Sequence, residues 1–542
     1  MLTNAFIIKQ GRKGIPGGMN GSRSRLKSVQ AIFVFAGSWL IIFCIFNFLL
    51  SGCMVGPDFV KPNVRVEEEW LQQHNPNIKS ETLDDRQWWV IFNDPVLDKL
   101  IAIAYQQNLD LQNAGLRILE ARAQLGIAVG AQYPQTQQVG GEATANQLSD
   151  YAPNGAGADK YFYNYQLGFD AAWEIDFWGR FRRGVESANA SLYASLASYE
   201  DILVSLIAEV ARTYLDIRTF EQRLLVAREN VSLQKQSLDV AEARLEFGAT
   251  SQLDVSQAKA LLKQTQAIVP PLEAGLRQAK NTLAILLGTL PTDIQDILGS
   301  EKPIPTAPTE VTVGIPAELI RRRPDVRLAE LQAAAQSAQI GIAEADLYPS
   351  FSLFGSIGLQ SSDKGNDRSN NANFSDMFSS GGITYFFGPT FNWPIFNYGR
   401  LKNNVRVQDA RFQQLLVNYQ NTVLRAFQDV EDAMVGFLRT QEQKAFLSES
   451  VEQYKLAVEL SLIQYSEGLT DYQRVIDAQR NLAQQADAFA SATGSVATNL
   501  VALYKALGGG WELSRNYDVI PEETKETMRQ RTDWGDLLSP ED

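Results

Sequence analysis

One stretch of the sequence restricts the possible folds more than any other. From Val185 to Phe247 the chain has no glycine or proline, and a second run from Arg400 to Glu467 is interrupted only by Gly436. A helix over the first run would be roughly 90 Å long, whereas globular helices average about 11–12 residues. Its apolar residues recur at spacings of three and four. Because a narrow apolar stripe cannot be buried by one helix alone, the pattern predicts packing against several neighbours.

The two long runs belong to an internal duplication. "FWGR" at 177–180 matches "NYGR" at 397–400, and Gly248 aligns with Gly468, both with an offset of 220. Further upstream, "QYP" ending at Pro134 matches "LYP" ending at Pro349 with an offset of 215. Each half therefore reads as helix, Tyr-Pro break, strands, Gly-Arg turn and long helices. An ordinary dimeric coiled coil is the alternative, but the strands interleaved at matching places argue against it.

Each long helix is predicted to turn back as a helical hairpin. Gly248 and Gly468 stand where a glycine ends a helix, and Ser251 and Asp471 are the expected N-caps of the return helices. Pro270-Pro271 must kink or stop the first return helix, whereas Ala490-Ser491 stand there in the second half. The predicted helices are 185–247, 251–287, 400–467 and 471–507.

The segments between the helices alternate as strands do. In "YFYNYQLGFDAAWEIDF", 161–177, tyrosine, phenylalanine, tryptophan and aliphatic residues share one face, and mostly polar residues share the other. Such alternation is typical of an outer-membrane barrel, although a water-soluble sandwich also alternates. Four strands cannot close a barrel, which needs about eight, so the sheet stays open or several chains share one barrel. The predicted strands are 135–148, 161–177, 350–361 and 381–396.

The N-terminus carries an export signal. Three basic residues, Arg23, Arg25 and Lys27, precede the uncharged run 31–50, and Ser51-Gly52-Cys53 follows it. The run is about long enough to span a bilayer, so a retained transmembrane helix is one reading. The basic start and small residues at the end favour a cleaved signal peptide over 1–52. Since Leu50-Ser51-Gly52-Cys53 resembles a lipobox, we expect cleavage before Cys53. Covalent lipid is then expected on the Cys53 thiol and on its new amino group.

Composition restricts the partners and the chemistry. Loss of 1–52 removes six basic residues and takes the formal net charge from −13 to −19. An acidic surface argues against nucleic acid as a partner. The cleaved chain keeps only Cys53 of two cysteines, so it forms no internal disulfide.

An enzyme is not expected. The single histidine, His74, lies in a polar segment, which argues against histidine metal clusters and against Ser–His or Cys–His catalysis. We find no phosphate-binding glycine loop or dinucleotide fingerprint, and we expect no cofactor beyond the lipid. A secreted hydrolase using Glu174 and Asp176 is the enzymatic alternative, but nothing else in the sequence indicates a cleft around them.

Several motifs together resemble one family. They are the lipobox, "GPDFVKP", "IPAELIRRRPDVRLAELQAAAQSAQIGIAEADLYPSFSL", "WEIDFWGR" and "YSEGLTDYQRVIDAQR". As a set they are similar to the TolC-type outer-membrane factors, in particular to the NodT/OprM-like lipoproteins that serve resistance–nodulation–division (RND) pumps. The resemblance covers Cys53 to about Trp511.

The resemblance implies a mixed, mainly α fold and a homotrimer. Long helices would form an α-barrel, and four strands from each chain would form a trimeric twelve-stranded transmembrane β-barrel. After the signal, the expected parts are an extended segment 53–95, a first repeat 96–300, a linker 301–320, a second repeat 321–511 and a tail 512–542.

The resemblance also implies a gate at the hairpin tips. Asp477 matches a constriction aspartate, of which a trimer would present a ring. Asp254 and Tyr465 match a hydrogen-bonded pair that holds the gate shut. The sequence departs from the TolC pattern at Arg474 and Thr470, where an acidic residue and a gate arginine are usual. Gln473 stands where the OprM branch has leucine.

The implied function is a passive outer-membrane exit duct in a Gram-negative bacterium. Its implied partners are a periplasmic adaptor (membrane fusion protein) and an inner-membrane RND pump. A type I secretion duct and a non-conducting structural lipoprotein are the alternatives. We expect Cys53→Ser to still form trimers, because the barrel is the larger anchor.

Overall fold

The computed structural model describes residues 53–64, 67, 69–79, 86–151, 160–292, 294–364, 373–516 and 518–539. The predicted signal segment 1–52 lies outside them. The first half contains β1 Ile78–Lys79, α1 Pro95–Gln107, α2 Leu109–Gly130, β2 Thr136–Gln147, β3 Tyr161–Ile175, α3 Arg180–Glu246, α4 Gln252–Gln266, α5 Val269–Leu286 and α6 Ile294–Leu298. The second contains β4 Val311–Thr312, α7 Pro316–Arg322, α8 Pro324–Ala345, β5 Ser350–Ser362, β6 Ile383–Asn392, α9 Arg400–Ser466 and α10 Tyr472–Ala506, and the tail adds α11 Glu522–Arg531.

The two long helices, α3 and α9, have 67 residues each. Each follows a glycine with positive φ, Gly179 at 80° and Gly399 at 81°. Helix α3 begins five residues before the predicted start because Gly184 lies inside it rather than ahead of it. No helix of the described part of the chain combines the length and apolar character that a membrane span requires.

The return helices of the two halves differ at the proline pair. Helix α4 ends at Gln266 and α5 begins at Val269, directly before Pro270-Pro271. In contrast, α10 continues unbroken for 35 residues. The difference follows from the missing proline N–H groups, which cannot continue the hydrogen bonding of α4 but are tolerated in the first turn of α5.

The four long strands form one antiparallel sheet in the order β2-β3-β5-β6. The central β3–β5 pair joins the two halves, with Phe169 opposite Ile357. Strand β6 ends at Asn392, short of the predicted 396, where Pro394 has no N–H to donate. Just before it, the Trp393 indole donates to the Leu347 carbonyl at 3.1 Å.

The main core surrounds the middle of α3, where Leu203, Ile207, Val210 and Ile217 are buried. Its contacts include α1, α2, α5 and α10. The fully buried Arg218 pairs with Glu221 at 2.7 Å. It also donates to the carbonyls of Leu298, the last residue of α6, and of Ser300 just after it. These partners offset the cost of burying a charge.

Short elements fasten the segments outside the two repeats. Strand β1 pairs in parallel with β4, which lies in the predicted linker, and the Trp70 indole donates to the Gly314 carbonyl at 2.8 Å. The tail folds back on α2, where Leu119 packs with Ile520 and Met528. The predicted extended segment and tail are thus attached to the helical body.

Candidate functional site at the helix tips

The two hairpin tips have the same backbone geometry. In the first, the N–H of Ala249 donates to the Arg244 carbonyl at 2.7 Å, and Gly248 has a φ of 70°. In the second, the N–H of Leu469 donates to the Gln464 carbonyl at 2.8 Å, and Gly468 has a φ of 73°. Both are glycine-terminated helix ends of the kind the sequence predicted.

The expected caps are only partly as predicted. Ser251 and Asp471 stand at the N-cap positions of α4 and α10 with extended backbones. Neither side chain makes a capping hydrogen bond. The turn is therefore fixed by its main chain and glycine rather than by these two side chains.

The structure brings Asp254 and Tyr465 together, but Thr250 stands between them. The Tyr465 hydroxyl donates to Thr250 Oγ1 at 3.3 Å, and Thr250 Oγ1 in turn donates to the Asp254 carboxylate. The resemblance implied a direct hydrogen bond between this carboxylate and the tyrosine, whereas in the described structure Thr250 links the two groups. The reason is local, since Thr250 lies four residues before Asp254 across the start of α4 and reaches the carboxylate first.

Arg244 joins the two tips and was missed by the sequence analysis. From the last turn of α3, its Nη1 donates to the main-chain carbonyls of Tyr465 at 2.7 Å and Ser466 at 2.8 Å. Its guanidinium carbon also lies 4.8 Å from the centre of the Tyr465 ring. The last carbonyls of a helix have no partners within it and carry partial negative charge. A cation placed there ties the end of α9 to α3.

An apolar cluster underlies these polar contacts. Tyr465 is 2% exposed and its ring centre lies 4.9 Å from that of Tyr472. Burial raises the pKa of Tyr472, and the neighbouring Tyr465 and Asp254 add to the shift. The cluster draws on both hairpins: Leu238, Ala241, Val255, Ala258, Leu261, Leu262, Tyr465, Tyr472, Val475 and Ile476. The tips are therefore packed against each other as well as hydrogen-bonded.

The predicted constriction residues lie on an exposed face of α10. Asp477 accepts a hydrogen bond from Gln473 Nε2 at 3.0 Å and lies 3.5 Å from an Arg480 nitrogen. Arg474 is exposed on the same turn. An exposed ion pair of this kind contributes little to stability. The contacts described for Asp477 within one chain therefore do not make it important for the fold.

The lipidation candidate lies far from the tips. Cys53 is exposed, and two residues later the Val55 N–H donates to the Trp178 carbonyl at 3.1 Å, just before α3 begins. A 67-residue helix is about 100 Å long. Cys53 and the tips thus lie at opposite ends of α3.

The carboxylates proposed for a hydrolase have structural partners. Asp176 accepts from the N–H groups of Phe181 at 3.1 Å and Arg182 at 2.9 Å, which caps the start of α3. Glu174 lies 3.4 Å from Arg180. Among the described residues, no group of three or more histidine, cysteine, aspartate or glutamate side chains is placed to hold a metal ion.

Comparisons with known proteins agree with this architecture. The family model described as "Outer membrane efflux protein" matches residues 100–289 and 315–509. Nodulation protein T of Rhizobium leguminosarum bv. viciae is 31% identical over 470 residues, covering 85% of this chain and 92% of that protein. The toluene efflux pump outer membrane protein TtgF of Pseudomonas putida is 31% identical over 477 residues, covering 85% and 95%.

A solved structure extends the similarity to the fold. The structure of the outer-membrane channel OprN superposes with a TM-score of 0.79 at 32% identity, covering 85% of this chain and 100% of that one. The matches span both halves and the tips. The chain is an outer-membrane protein that belongs to the outer membrane efflux protein family.

Proposed function

We propose that three copies of the chain form the exit duct of a tripartite efflux pump, which conducts substrates passively and is gated at the helix tips. The observation that carries the proposal is the contact of the two hairpins, where Arg244 and Thr250 of the first bind the end of the second and Asp254 accepts from Thr250. Polar contacts and one apolar cluster confined to the end of helices about 100 Å long are an arrangement that a partner can open without unfolding the helices.

Trimerisation is supported by surfaces that one chain leaves uncovered. Within the described sheet, β2 and β6 are edge strands. The aromatic residues Tyr385, Phe387 and Phe391 of β6 are 73%, 84% and 68% exposed. Three chains would supply twelve strands, which is enough to close a barrel and remove every edge. The outward aromatic residues suit a lipid environment.

The helices leave a second apolar surface. Along α9, eight large apolar side chains are exposed, and their number on one helix suggests a face that another chain covers. These residues are Val407, Val417, Leu424, Val435, Phe446, Leu456, Leu460 and Ile463. In the proposed trimer this face packs on a neighbouring chain and completes the α-barrel.

The tip contacts would hold the closed state. Hydrogen bonds that involve a charged group contribute about 1.5–3 kcal/mol each. Loss of such a bond would raise the open population about tenfold to a hundredfold in a two-state gate. The proposed gate is therefore closed in the free protein and opens when a partner supplies compensating contacts.

Three copies of Asp477 would form an acidic ring in the trimer. Carboxylates crowded at a constriction attract cations, so we propose that Asp477 makes conductance sensitive to the cation. Gln473 supports the carboxylate by hydrogen bonding, and Arg474 replaces a second acidic position. The ring of this chain would thus carry less negative charge than one with two acids.

The helix tips are also where we expect partner proteins to bind. Apolar side chains project at both tips, where Phe247, Leu253 and Leu469 are 84%, 63% and 78% exposed. We propose that hairpins of a periplasmic adaptor cover them and that an inner-membrane RND pump supplies the energy. The relative TtgF is named as the outer membrane protein of a toluene efflux pump.

Lipid attachment at Cys53 would anchor the other end. Its exposed position next to the sheet end of α3 agrees with acyl chains that enter the inner leaflet of the outer membrane. Cys53→Ser is expected to reduce membrane association but to leave the trimer intact.

Reconstitution in a planar bilayer tests the proposal. The purified protein, first shown to be trimeric by light scattering, is expected to give a small cation-sensitive conductance that rises in Asp254→Ala and Tyr465→Phe. Conductance absent from the wild type and both variants would contradict the duct and favour the structural lipoprotein. A type I secretion system encoded with the gene would instead identify a secretion duct.

A further inference from the structure

A buried arginine at the sheet end of α3 binds the chain's own N-terminal segment. Arg183 is 1% exposed. Its Nε donates to the Val55 carbonyl at 3.2 Å, and its Nη2 donates to the Gly56 carbonyl at 3.0 Å and to Asp58 at 2.8 Å. Nη1 donates to Glu186 at 2.7 Å. Three of these four contacts are made to residues 55–58.

The surroundings of Arg183 fit this segment closely. Gly56 has a φ of 87°, and a Cβ on it would lie 2.4 Å from the Gly341 Cα of α8. A Cβ on Gly179 would lie 2.5 Å from Met54 Cγ. The Val55 N–H completes the site by donating to the Trp178 carbonyl at 3.1 Å. Only a segment with glycine at position 56 approaches α8 this closely.

The charge of Arg183 stabilises the bound position of residues 55–58. A buried guanidinium without partners is costly, because its hydration is lost. If residues 54–58 left, Arg183 would keep Glu186 as its only described partner. Asp58 contacts Arg183 from the solvent side: its side chain is 83% exposed, whereas that of Arg183 is buried.

We propose that Arg183, Gly179 and Gly341 form a docking site for Met54–Asp58, and that this site sets where Cys53 leaves the protein. Arg183 is a positioning residue, since it acts on Cys53 through the segment. The docking itself depends only on the contacts above, whereas its use in placing an acyl chain rests on the proposed function. The bound segment places Cys53 beside the turn between β3 and α3, so the lipid and the sheet would enter the membrane at one level.

Without the docked segment, the N-terminus would be free over a considerable distance. The next attachments along the chain are Phe59 against Phe412 and Lys61 to Glu330. Six residues of extended chain from Phe59 back to Cys53 reach about 20 Å. The docking site therefore removes most of the positional freedom of Cys53.

Hydrogen exchange of the Val55 amide measures docking directly. The experiment uses the purified full-length trimer in detergent, with exchange followed by mass spectrometry in the peptide that contains Val55. Arg183→Met, which keeps the volume and removes the donors, is expected to speed this exchange about tenfold or more. Gly56→Ala should have the same effect from the segment side, without altering the helical body.

Arg180→Met is the matched control, because Arg180 lies one turn earlier on α3 and pairs with Glu174 and Asp346 instead. It should leave the exchange of Val55 unchanged. The proposal would be overturned if the Val55 amide exchanged at the wild-type rate in folded Arg183→Met. If Arg183→Met does not fold, the same result in Gly56→Ala would overturn it.

Cys53→Ser separates docking from lipidation. We expect Val55 to remain protected in this variant, because the contacts that hold the segment are protein contacts. Loss of protection in a Cys53→Ser trimer would show that the lipid on Cys53, not Arg183, holds the segment. Loss of the trimer itself would instead contradict the proposed anchoring by the barrel.

Discussion

The two hairpins share a backbone and differ in what their tips contribute. Both follow a 67-residue helix, and both turn at a glycine of positive φ with the same hydrogen bonds. The first return helix is broken before Pro270-Pro271, whereas the second is continuous. The turn is thus a repeated structure, and the return helices are not.

Side chains at equivalent positions differ in a way that makes the tips complementary. At the offset of 220, Arg244 of the first hairpin corresponds to Gln464, and Leu245 corresponds to Tyr465. The first hairpin supplies the cation and the threonine hydroxyl, and the second supplies the carbonyls and the tyrosine. A duplicated scaffold has therefore acquired contacts that bind one copy to the other.

The largest expected effect is on the packing of the second hairpin. A Cβ on Gly494 of α10 would lie 2.0 Å from Thr219 Oγ1 and 2.9 Å from its Cβ. Gly494→Val should destabilise the protein by about 1–3 kcal/mol or more, seen as a lower thermal midpoint at a fixed scan rate. Gly436→Ala, whose Cβ would have Asn499 as its nearest neighbour at an ordinary 3.5 Å, should cause no loss. An unchanged midpoint in Gly494→Val would show that α3 and α10 are not packed as described.

The second effect is on the bridge between the tips. Thr250→Val removes the hydroxyl that links Tyr465 to Asp254, so open-channel time should rise roughly fivefold or more for the loss of about 1 kcal/mol. Its counterpart Thr470 takes no part in the tip contacts described above, so Thr470→Val should leave single-channel recordings unchanged. Equal effects in the two variants would remove the distinction between the hairpins.

The third effect is on ion selectivity, to which we expect only the second hairpin to contribute through Asp477. Asp477→Asn should lower the preference for cations by roughly half or more, measured as a reversal potential in a salt gradient. Glu523→Gln removes the same charge from an exposed position in the tail and should leave the reversal potential unchanged. Identical reversal potentials for wild type and Asp477→Asn would place Asp477 away from the conduction path.

The smallest effect concerns the break in the first return helix. Replacing both Pro270 and Pro271 with alanine restores two N–H donors, so α4 and α5 should join into one helix like α10. Amides near Ile268 should then exchange more slowly, with conductance unchanged. Faster exchange there would show that the break is imposed by tertiary packing rather than by the prolines.

Much of this fold can be predicted from the sequence because its signals are local. The glycine-free and proline-free run predicts α3, and the alternation in 161–177 predicts β3. The errors occur where a local rule has an exception. Gly184 lies inside α3, because a single glycine costs a helix only about 1 kcal/mol and does not have to end it. Pro394 ends β6 within a stretch that still alternates.

The site was less predictable because the hydrogen bonds of Arg244 across the tips are made to main-chain atoms. Arg244 binds two carbonyls, and a carbonyl leaves no trace in the sequence. One signal was present, since Arg244 lies four residues before Gly248 and its counterpart at the offset of 220, Gln464, is not basic. Thr250 was missed for another reason, because the family pattern directed attention to Asp254 and Tyr465 and not to the residue between them.

Single-channel conductance of Arg244→Gln tests the central claim most directly, because it gives the first tip the residue of the second. The account predicts that open-channel time rises about tenfold or more over wild type. Arg228→Gln, which removes an exposed ion pair with Glu273 from the same helix, should behave as wild type. A trimeric Arg244→Gln that stays closed like the wild type would contradict the claim that the contacts between the hairpins hold the duct shut.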